Sequence, residues 1–182
     1  MRRTCLIAMV ALVIFHLPGC FESKVPMASS DKSKIEPKMV GDWIQVVEKK
    51  DKAKPFRLRI AKFNERECFV TWGQKGEDAV TTRAYAVNVG DVRIMNVQNI
   101  DPAAEDDERT FVFFKYKISA DSSLVVQILD GDSPLLKEKT FKTSAEFMAF
   151  MKKNIGDKTL FTDPMTFKKA EDLELRIAAK DD

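Results

Sequence analysis

Short runs in which apolar residues occupy alternate positions constrain the fold of this chain more than any other feature. In residues 56–63, Phe56, Leu58 and Ile60 alternate with polar residues, which is the period of a β-strand. Links such as residues 64–66 are too short for a crossover helix, so neighbouring strands are expected to pair antiparallel. We therefore predict a mostly β fold, an eight-stranded antiparallel up-and-down barrel without exposed edges. The predicted strands cover residues 42–48, 56–63, 67–72, 80–88, 91–98, 109–118, 123–130 and 136–142.

A helical pattern follows the last of these strands. Thr143 and Glu146 have the spacing of a capping box, and Gly156 stands where the helix can end. The pattern predicts one C-terminal helix, whose apolar stripe consists of Phe147, Phe150 and Met151. After it we expect an irregular apolar segment that packs back on the barrel and then a short helix or frayed tail, at residues 160–167 and 170–182.

The N-terminus has the composition of an export signal. Arg2 and Arg3 precede an apolar run that is too short to span a bilayer. The run ends in Leu17-Pro18-Gly19-Cys20, which resembles the lipobox of bacterial lipoproteins. The resemblance implies a signal peptide at residues 1–19 and fatty acylation of Cys20, which anchors the mature protein in a membrane. The alternative is an ordinary secretory signal cut near Gly19, with Cys20 incidental.

The residues after Cys20 divide into two regions. Residues 20–38 are rich in Ser, Lys and Pro and have no apolar period, which predicts a flexible tether. Residues 39–182 are long enough for one domain with its own core. In lipoproteins of bacteria with two membranes, a residue other than Asp after the cysteine implies sorting to the outer membrane, and Phe21 stands there. The expected location is therefore the bacterial cell envelope.

Composition excludes several functions for the mature chain. Removal of residues 1–19 leaves 28 basic and 28 acidic residues, so the net charge gives no footprint for nucleic acid. His16, the only histidine, leaves with the signal, which excludes catalysis or metal binding by imidazole. Cys68 lies on an apolar strand face and is expected to be buried packing. The acidic run at residues 101–109 lacks the spacing of a calcium loop. Together these observations lead us to predict no metal site, no cofactor and no catalytic residue.

Gly41-Asp42-Trp43, at the start of the first predicted strand, resembles the Gly-x-Trp motif of lipocalins. In that family the tryptophan closes one end of an eight-stranded barrel, and a helix follows the last strand. The resemblance implies a lipocalin-like barrel in which Trp43 packs at the barrel end. Lys137 and Lys139 are the cations on the last predicted strand that could cover the indole by a cation–π contact.

A small barrel of this kind is either filled with side chains or hollow enough for one small ligand. Ala84 and Ala86 are small residues on a candidate inward face, so we expect them to leave a pocket for a hydrophobic small molecule. We predict a non-enzymatic lipoprotein that binds an apolar molecule or an envelope component. The alternative is a filled barrel that binds an envelope protein, as an inhibitor or assembly factor. The candidate inward set is Phe56, Leu58, Ile60, Val70, Ala84, Ala86, Ile94, Leu124, Val126 and Ile128.

Overall fold

A computed structural model describes residues 19–47, 54–74, 78–100 and 109–171. The predicted signal peptide up to residue 18, the acidic run at 101–108 and the tail from residue 172 lie outside the described residues. The elements are β1 (Glu22–Ser23), β2 (Gly41–Gln45), β3 (Phe56–Lys62), β4 (Cys68–Gln74), β5 (Val80–Val89), β6 (Val92–Asn99), β7 (Phe111–Ile118), β8 (Leu124–Ile128), α1 (Ser144–Asn154) and β9 (Met165–Lys169), with short 3-10 turns at Ser30–Lys32 and Pro37–Met39.

Strands β2 to β9 form a closed, eight-stranded antiparallel barrel, which confirms the predicted fold class. Each strand pairs with the next in the chain, and β2 closes the ring by pairing with β9. The β7 edge has two partners, because β8 pairs with its second half and β1 with Val112 and Phe111 at its start. Every barrel strand thus has a neighbour on both sides, which removes the exposed edges that favour aggregation.

The predicted eighth strand at residues 136–142 is wrong. The backbone forms turns there, in which Leu136 and Lys137 both donate to the carbonyl of Ser133, and Glu138 has a positive φ of 62°. The eighth barrel strand is β9, which lies after the helix in the region predicted to be an irregular segment. The helix therefore lies between the seventh and eighth barrel strands rather than beyond the barrel.

Helix α1 begins with the predicted capping box. The Thr143 side chain accepts from the backbone N–H of Glu146, whose carboxylate accepts from the backbone N–H of Thr143. These two bonds satisfy N–H groups that a helix start leaves without partners. Phe147 and Met151 are fully buried, and the Phe147 ring packs edge to face on Phe113 at 4.8 Å. The helix packs on the outer face of the barrel wall, and its buried residues Phe147 and Met151 belong to the outer cluster rather than to the lumen.

The segment predicted to be a flexible tether, residues 20–38, packs on the barrel instead. Phe21 and Met27 are 7% and 0% exposed, and the Met27 backbone N–H donates to the Asn96 side chain at 2.8 Å. The Tyr85 hydroxyl donates to the carbonyl of Ala28 at 2.7 Å. Isolated apolar residues in a polar stretch gave no periodic signal, yet Phe21 and Met27 pack on the outer wall and Ile35 packs against the lumen cluster. The segment runs from β7 across β6 and β5 and then turns under the barrel.

Strand register separates the two faces of the wall. Ala84 pairs with Cys68 and Val97, and these side chains face the lumen. Ile94, which the candidate inward set included, pairs with Val87 and lies in the outer cluster beneath α1. A shift by one residue reverses the face of every side chain in a strand. The register of β6 therefore places Ile94 on the outer face rather than in the lumen. The other members of that set face the lumen.

Candidate binding site in the barrel lumen

One end of the lumen is closed by the chain that enters β2. The 3-10 turn Pro37–Met39 lies across this end, which also holds the β5–β6 turn at Gly90. Met39 is 5% exposed, and its carbonyl accepts a 2.8 Å hydrogen bond from Nε1 of Trp43. We call this part of the lumen the closed half; its buried members are Met39, Trp43, Ile60, Cys68, Ala84, Met95, Val97, Tyr116, Leu124 and Phe167.

Trp43 lies in the closed half at 1% exposure, and its indole is covered by a cation. The Nζ of Lys169, on β9, lies 4.3 Å from the ring centroid and donates to the carbonyl of Val40. Lys137 and Lys139, the predicted candidates, belong to the turns outside the barrel, and Lys139 lies over Phe150 instead. A cation on the last barrel strand thus does cover the indole, but that strand is β9. Had β9 been recognised in the sequence, Lys169 would have been the candidate.

Gly41 makes room for this contact. Its φ of +131° is a conformation that other residues rarely adopt, and a Cβ atom there would lie 2.5 Å from Nζ of Lys169. The glycine therefore lets the lysine side chain cross the strand and reach the indole two residues along. This explains in physical terms why Gly41 and Trp43 occur together.

Ala84 and Ala86 do not form the expected ligand pocket. Ala84 is 0% exposed, and Ala86 borders a lumen cavity of only about 10 Å³. Such a volume holds at most about one water molecule. The space left by the alanines is occupied by larger neighbours, because Met95 pairs with Ala86 and Cys68 with Ala84. The lumen beside these two alanines therefore has no room for a ligand, whereas Ala86 also borders a larger concavity on the outer surface.

The opposite end of the lumen differs. In one row of paired residues Cys68, Ala84 and Val97 are buried, whereas Val112, the next residue in that row, is half-buried. Among the described residues, no segment crosses this end of the lumen as residues 37–39 cross the other end. We call this region the open half; its half-buried apolar members are Phe56, Leu58, Val70, Trp72, Val80, Val112, Phe114, Val126, Ile128 and Met165.

We call the half-buried apolar side chains of the open half the apolar cup. Phe56, Val70 and Phe114 pack on the buried cluster that contains Trp43 and Phe167, so the filled half serves as the floor. The rings of Phe56 and Trp72 lie 6.3 Å apart near the rim. Mainly apolar lining is typical of sites for hydrophobic ligands.

The ionisable groups of the lumen are poorly suited to chemistry. Burial, reinforced by the charge of Glu67, raises the pKa of the Cys68 thiol to about 11, and its Sγ lies 3.6 Å from the carbonyl of Ala84. A thiol with such a pKa is neutral at pH 7 and is a weak nucleophile. Arg93, at the closed end, is paired with Glu36. Both Cys68 and Arg93 belong to the closed half of the lumen.

Cys20 lies on the outside of the wall, beside the segment that follows β8. Its backbone forms an isolated antiparallel β-bridge with Asp130. The backbone N–H of the next residue, Phe21, donates to the carbonyl of Leu129 at 2.9 Å. The residue is half-buried. Burial, with smaller contributions from the carboxylates of Glu22 and Asp130, raises the pKa of its thiol to about 11.

A second concavity lies on the outer surface between the 28–34 segment, the β5–β6 turn and α1. Its volume is about 540 Å³, and it is bordered by Lys32, Lys34, Arg93, Val87 and Met148. The large hydrophobic residues exposed among the described residues are Val46 and Phe63. These two follow β2 and β3 at opposite ends of the barrel, so they do not form a shared apolar patch.

Among the described residues, no group of three or more His, Cys, Asp or Glu side chains is placed to hold a metal ion. In the same part of the chain, no helix combines the length and apolarity needed to cross a membrane. The sequence matches no protein-family model, and it has no significant match among curated proteins or solved structures.

Proposed function

We propose that this protein is a lipid-anchored lipoprotein of the bacterial cell envelope whose lipocalin-like barrel holds an apolar small molecule in the open half of its lumen. It has no catalytic role and no cofactor. The observation that carries the proposal is the ring of half-buried, inward-facing apolar residues above a filled floor. Leaving such side chains partly in water forfeits about 25 cal/mol per Å² of apolar surface, and a bound apolar molecule recovers that free energy.

The alternative function, a filled barrel that binds an envelope protein through its outer surface, has less support. It requires a contiguous apolar patch on the outside, whereas Val46 and Phe63 lie at opposite ends of the barrel. Monomeric proteins commonly expose single apolar residues, which need no special explanation.

Adjacent residues on β8 provide a matched test of the lumen site. Val126 faces the open half and pairs with Tyr116, whereas Val125 faces outward and pairs with Lys117; both are half-buried. Val126→Trp fills the cup, and Val125→Trp adds the same ring to the outer wall. Native mass spectrometry of each protein, purified gently from its own envelope, is expected to show a stoichiometric added mass that Val126→Trp loses and Val125→Trp keeps. A wild-type protein without added mass, or equal retention by both variants, contradicts a lumen ligand.

The anchor has its own test. Cys20→Ser removes the acylation site, and Cys20 contributes no core side chain, so the fold is expected to persist. The variant is expected to move from the membrane to the soluble fraction. The proposed outer-membrane location is read from the same fractionation, after the two membranes are separated on a density gradient. Membrane retention of Cys20→Ser after a high-salt wash would falsify the anchor.

A further inference from the structure

We propose that the outer concavity, which lies between the 28–34 segment, the β5–β6 turn and α1, binds a small anion that carries a short apolar body. This inference goes beyond the proposed function, because the site lies outside the lumen and does not depend on a ligand there. With a volume of about 540 Å³, the outer concavity is in the size range of small-molecule sites. Its lining combines the cations Lys32, Lys34 and Arg93 with the apolar side chains of Ala86, Val87 and Met148.

The first step concerns charge. Among the described residues that line the outer concavity, three are cations, Lys32, Lys34 and Arg93, and one is a carboxylate, Asp31. Asp31 also lies 3.7 Å from the guanidinium of Arg66, which offsets its charge from outside the lining. The outer concavity thus has a positive surplus, whereas residues 20–182 as a whole have 28 basic and 28 acidic residues. Such a surplus in a concave surface attracts an anion.

The second step concerns polarity. Val87 faces outward and pairs with Ile94 of the cluster beneath α1, and Met148 of the helix packs on the same cluster. Arg93 precedes Ile94 on β6 and therefore faces the other way, toward the closed end of the lumen, where it is paired with Glu36. The apolar part of the lining thus lies toward α1 and the arginine toward the barrel end. A ligand with an anionic head and an apolar body matches this arrangement.

The third step concerns the backbone that presents the lysines. The Tyr85 hydroxyl donates to the carbonyl of Ala28 at 2.7 Å. The backbone N–H of Ala86 donates to the hydroxyl of Ser33 at 3.1 Å. These two bonds hold the 28–34 segment on β5, so binding has to order only the lysine side chains. Preorganisation of this kind limits the entropic cost of binding.

Hexyl phosphate is the probe for this site, because it joins an anionic head to an apolar chain. It is titrated calorimetrically into the protein purified from its own envelope and reconstituted in phosphatidylcholine nanodiscs, with empty nanodiscs as the blank. We expect one molecule bound per chain. Hexanol and inorganic phosphate are each expected to bind at least about tenfold more weakly, since each lacks one part of the matching contacts. Absence of hexyl phosphate binding, or equally tight binding of hexanol, overturns the inference.

The same titration in nanodiscs that contain phosphatidylglycerol identifies the source of the anion. Weaker apparent binding of hexyl phosphate means that an anionic membrane lipid competes for the outer concavity. Unchanged binding means that the natural anion is a soluble molecule. Both results support the site and differ only in its occupant.

Two pairs of variants locate the bound probe. Lys34→Gln removes a cation from the lining, whereas Lys38→Gln removes an exposed lysine outside it. Binding is expected to weaken about threefold to fivefold in the first variant and to stay unchanged in the second. Met148→Glu places a carboxylate against the anion, and Ala149→Glu adds the same group to an exposed neighbour on α1, so binding is expected to be lost only in Met148→Glu. Circular dichroism checks each fold, and the lysine pair decides if Met148→Glu does not fold.

Val126→Trp separates this inference from the proposed function. The new ring fills the apolar cup and leaves the outer concavity unchanged, so hexyl phosphate binding is expected to persist. Loss of binding in Val126→Trp places the probe in the lumen and overturns the inference, as do equal affinities within each pair of variants. An empty lumen with retained hexyl phosphate binding contradicts the proposed function alone.

Discussion

The closed and open halves of the lumen are built from the same eight strands and the same alternation, yet only one of them is filled. In the closed half Trp43, Ile60 and Leu124 are at most 4% exposed, whereas Val70 and Val126 of the open half remain half-buried. The difference comes from what covers the end. Residues 37–39 cross the closed end and supply Met39 as a plug, so closure depends on the segment before the barrel rather than on the strands.

The halves also differ in polar contacts. In the closed half the indole N–H, the Lys169 ammonium and the carbonyl groups of Met39 and Val40 satisfy one another. A buried polar group without a partner costs about 1–3 kcal/mol. These contacts avoid that cost, so the closed half can be filled without destabilising the fold. The open half consists mainly of hydrocarbon and leaves its surface available to a ligand. The comparison predicts that stability resides in the closed half and binding in the open half.

The largest expected effect is that of removing the floor. Trp43→Ala deletes a fully buried ring and leaves a cavity, which typically costs about 3–5 kcal/mol. Trp72→Ala, the matched change in the open half, removes a ring that is still partly in water and is expected to cost about 1 kcal/mol. Urea unfolding followed by circular dichroism gives both values. Equal losses would mean that the open half is packed as firmly as the closed half.

A second prediction uses the pH dependence of stability. The Cys68 pKa is raised by burial from 9.0 to about 11, so the unfolded state loses this proton at lower pH than the folded state does. The stabilising contribution is therefore complete below pH 9 and is lost as pH rises from about 9 to 11, by about 2 kcal/mol at most.

Cys68→Ala is the control for this alkaline loss. The Tyr85 pKa is also raised, to about 12, chiefly by burial, so part of the decline is expected to persist in the variant. The free energy of unfolding is measured between pH 8 and pH 11 for both proteins. Identical pH profiles would show that Cys68 is not desolvated in the folded protein, and hence that the closed half admits water.

The sequence predicted most of the fold and little of the site. The first seven barrel strands have clear alternation and turn residues, and each lies close to its predicted bounds. β9 was missed because Met165 and Phe167 give only two alternating apolar residues after a proline, a pattern too short to distinguish from a loop. Residues 136–142 seemed more regular, but Ser133 carbonyl bonds and the turn at Glu138 hold them out of the sheet.

The position of the cup could not be predicted for a different reason. Alternation separates inward from outward residues but does not show which barrel end is covered, because the cover comes from elsewhere in the chain. Ala84 suggested space by its size, yet its pairing with Cys68 and Val97 places it in the filled half. Met27 and Phe21 were read as part of a tether because an isolated apolar residue has no period. Their burial became visible only with the wall in place.

The smallest expected effect sharpens the comparison at the boundary of the closed half. Lys169→Ala removes the cation over Trp43 and the donor to Val40, and a cation–π contact with a hydrogen bond is worth about 1–2 kcal/mol together. Lys168→Ala is the matched control on the same strand. Its ammonium forms an exposed pair with Asp121 at 3.4 Å, which is worth about 0–1 kcal/mol.

Lys169→Arg should recover most of the loss caused by Lys169→Ala, since a guanidinium stacks on an indole at least as well as an ammonium does. Thermal unfolding measures the three variants, and the change in Trp43 emission reports the contact itself. If Lys168→Ala and Lys169→Ala lowered stability equally and neither altered that emission, the lysine above the indole would be surface charge. The closed half would then owe its stability to apolar burial alone.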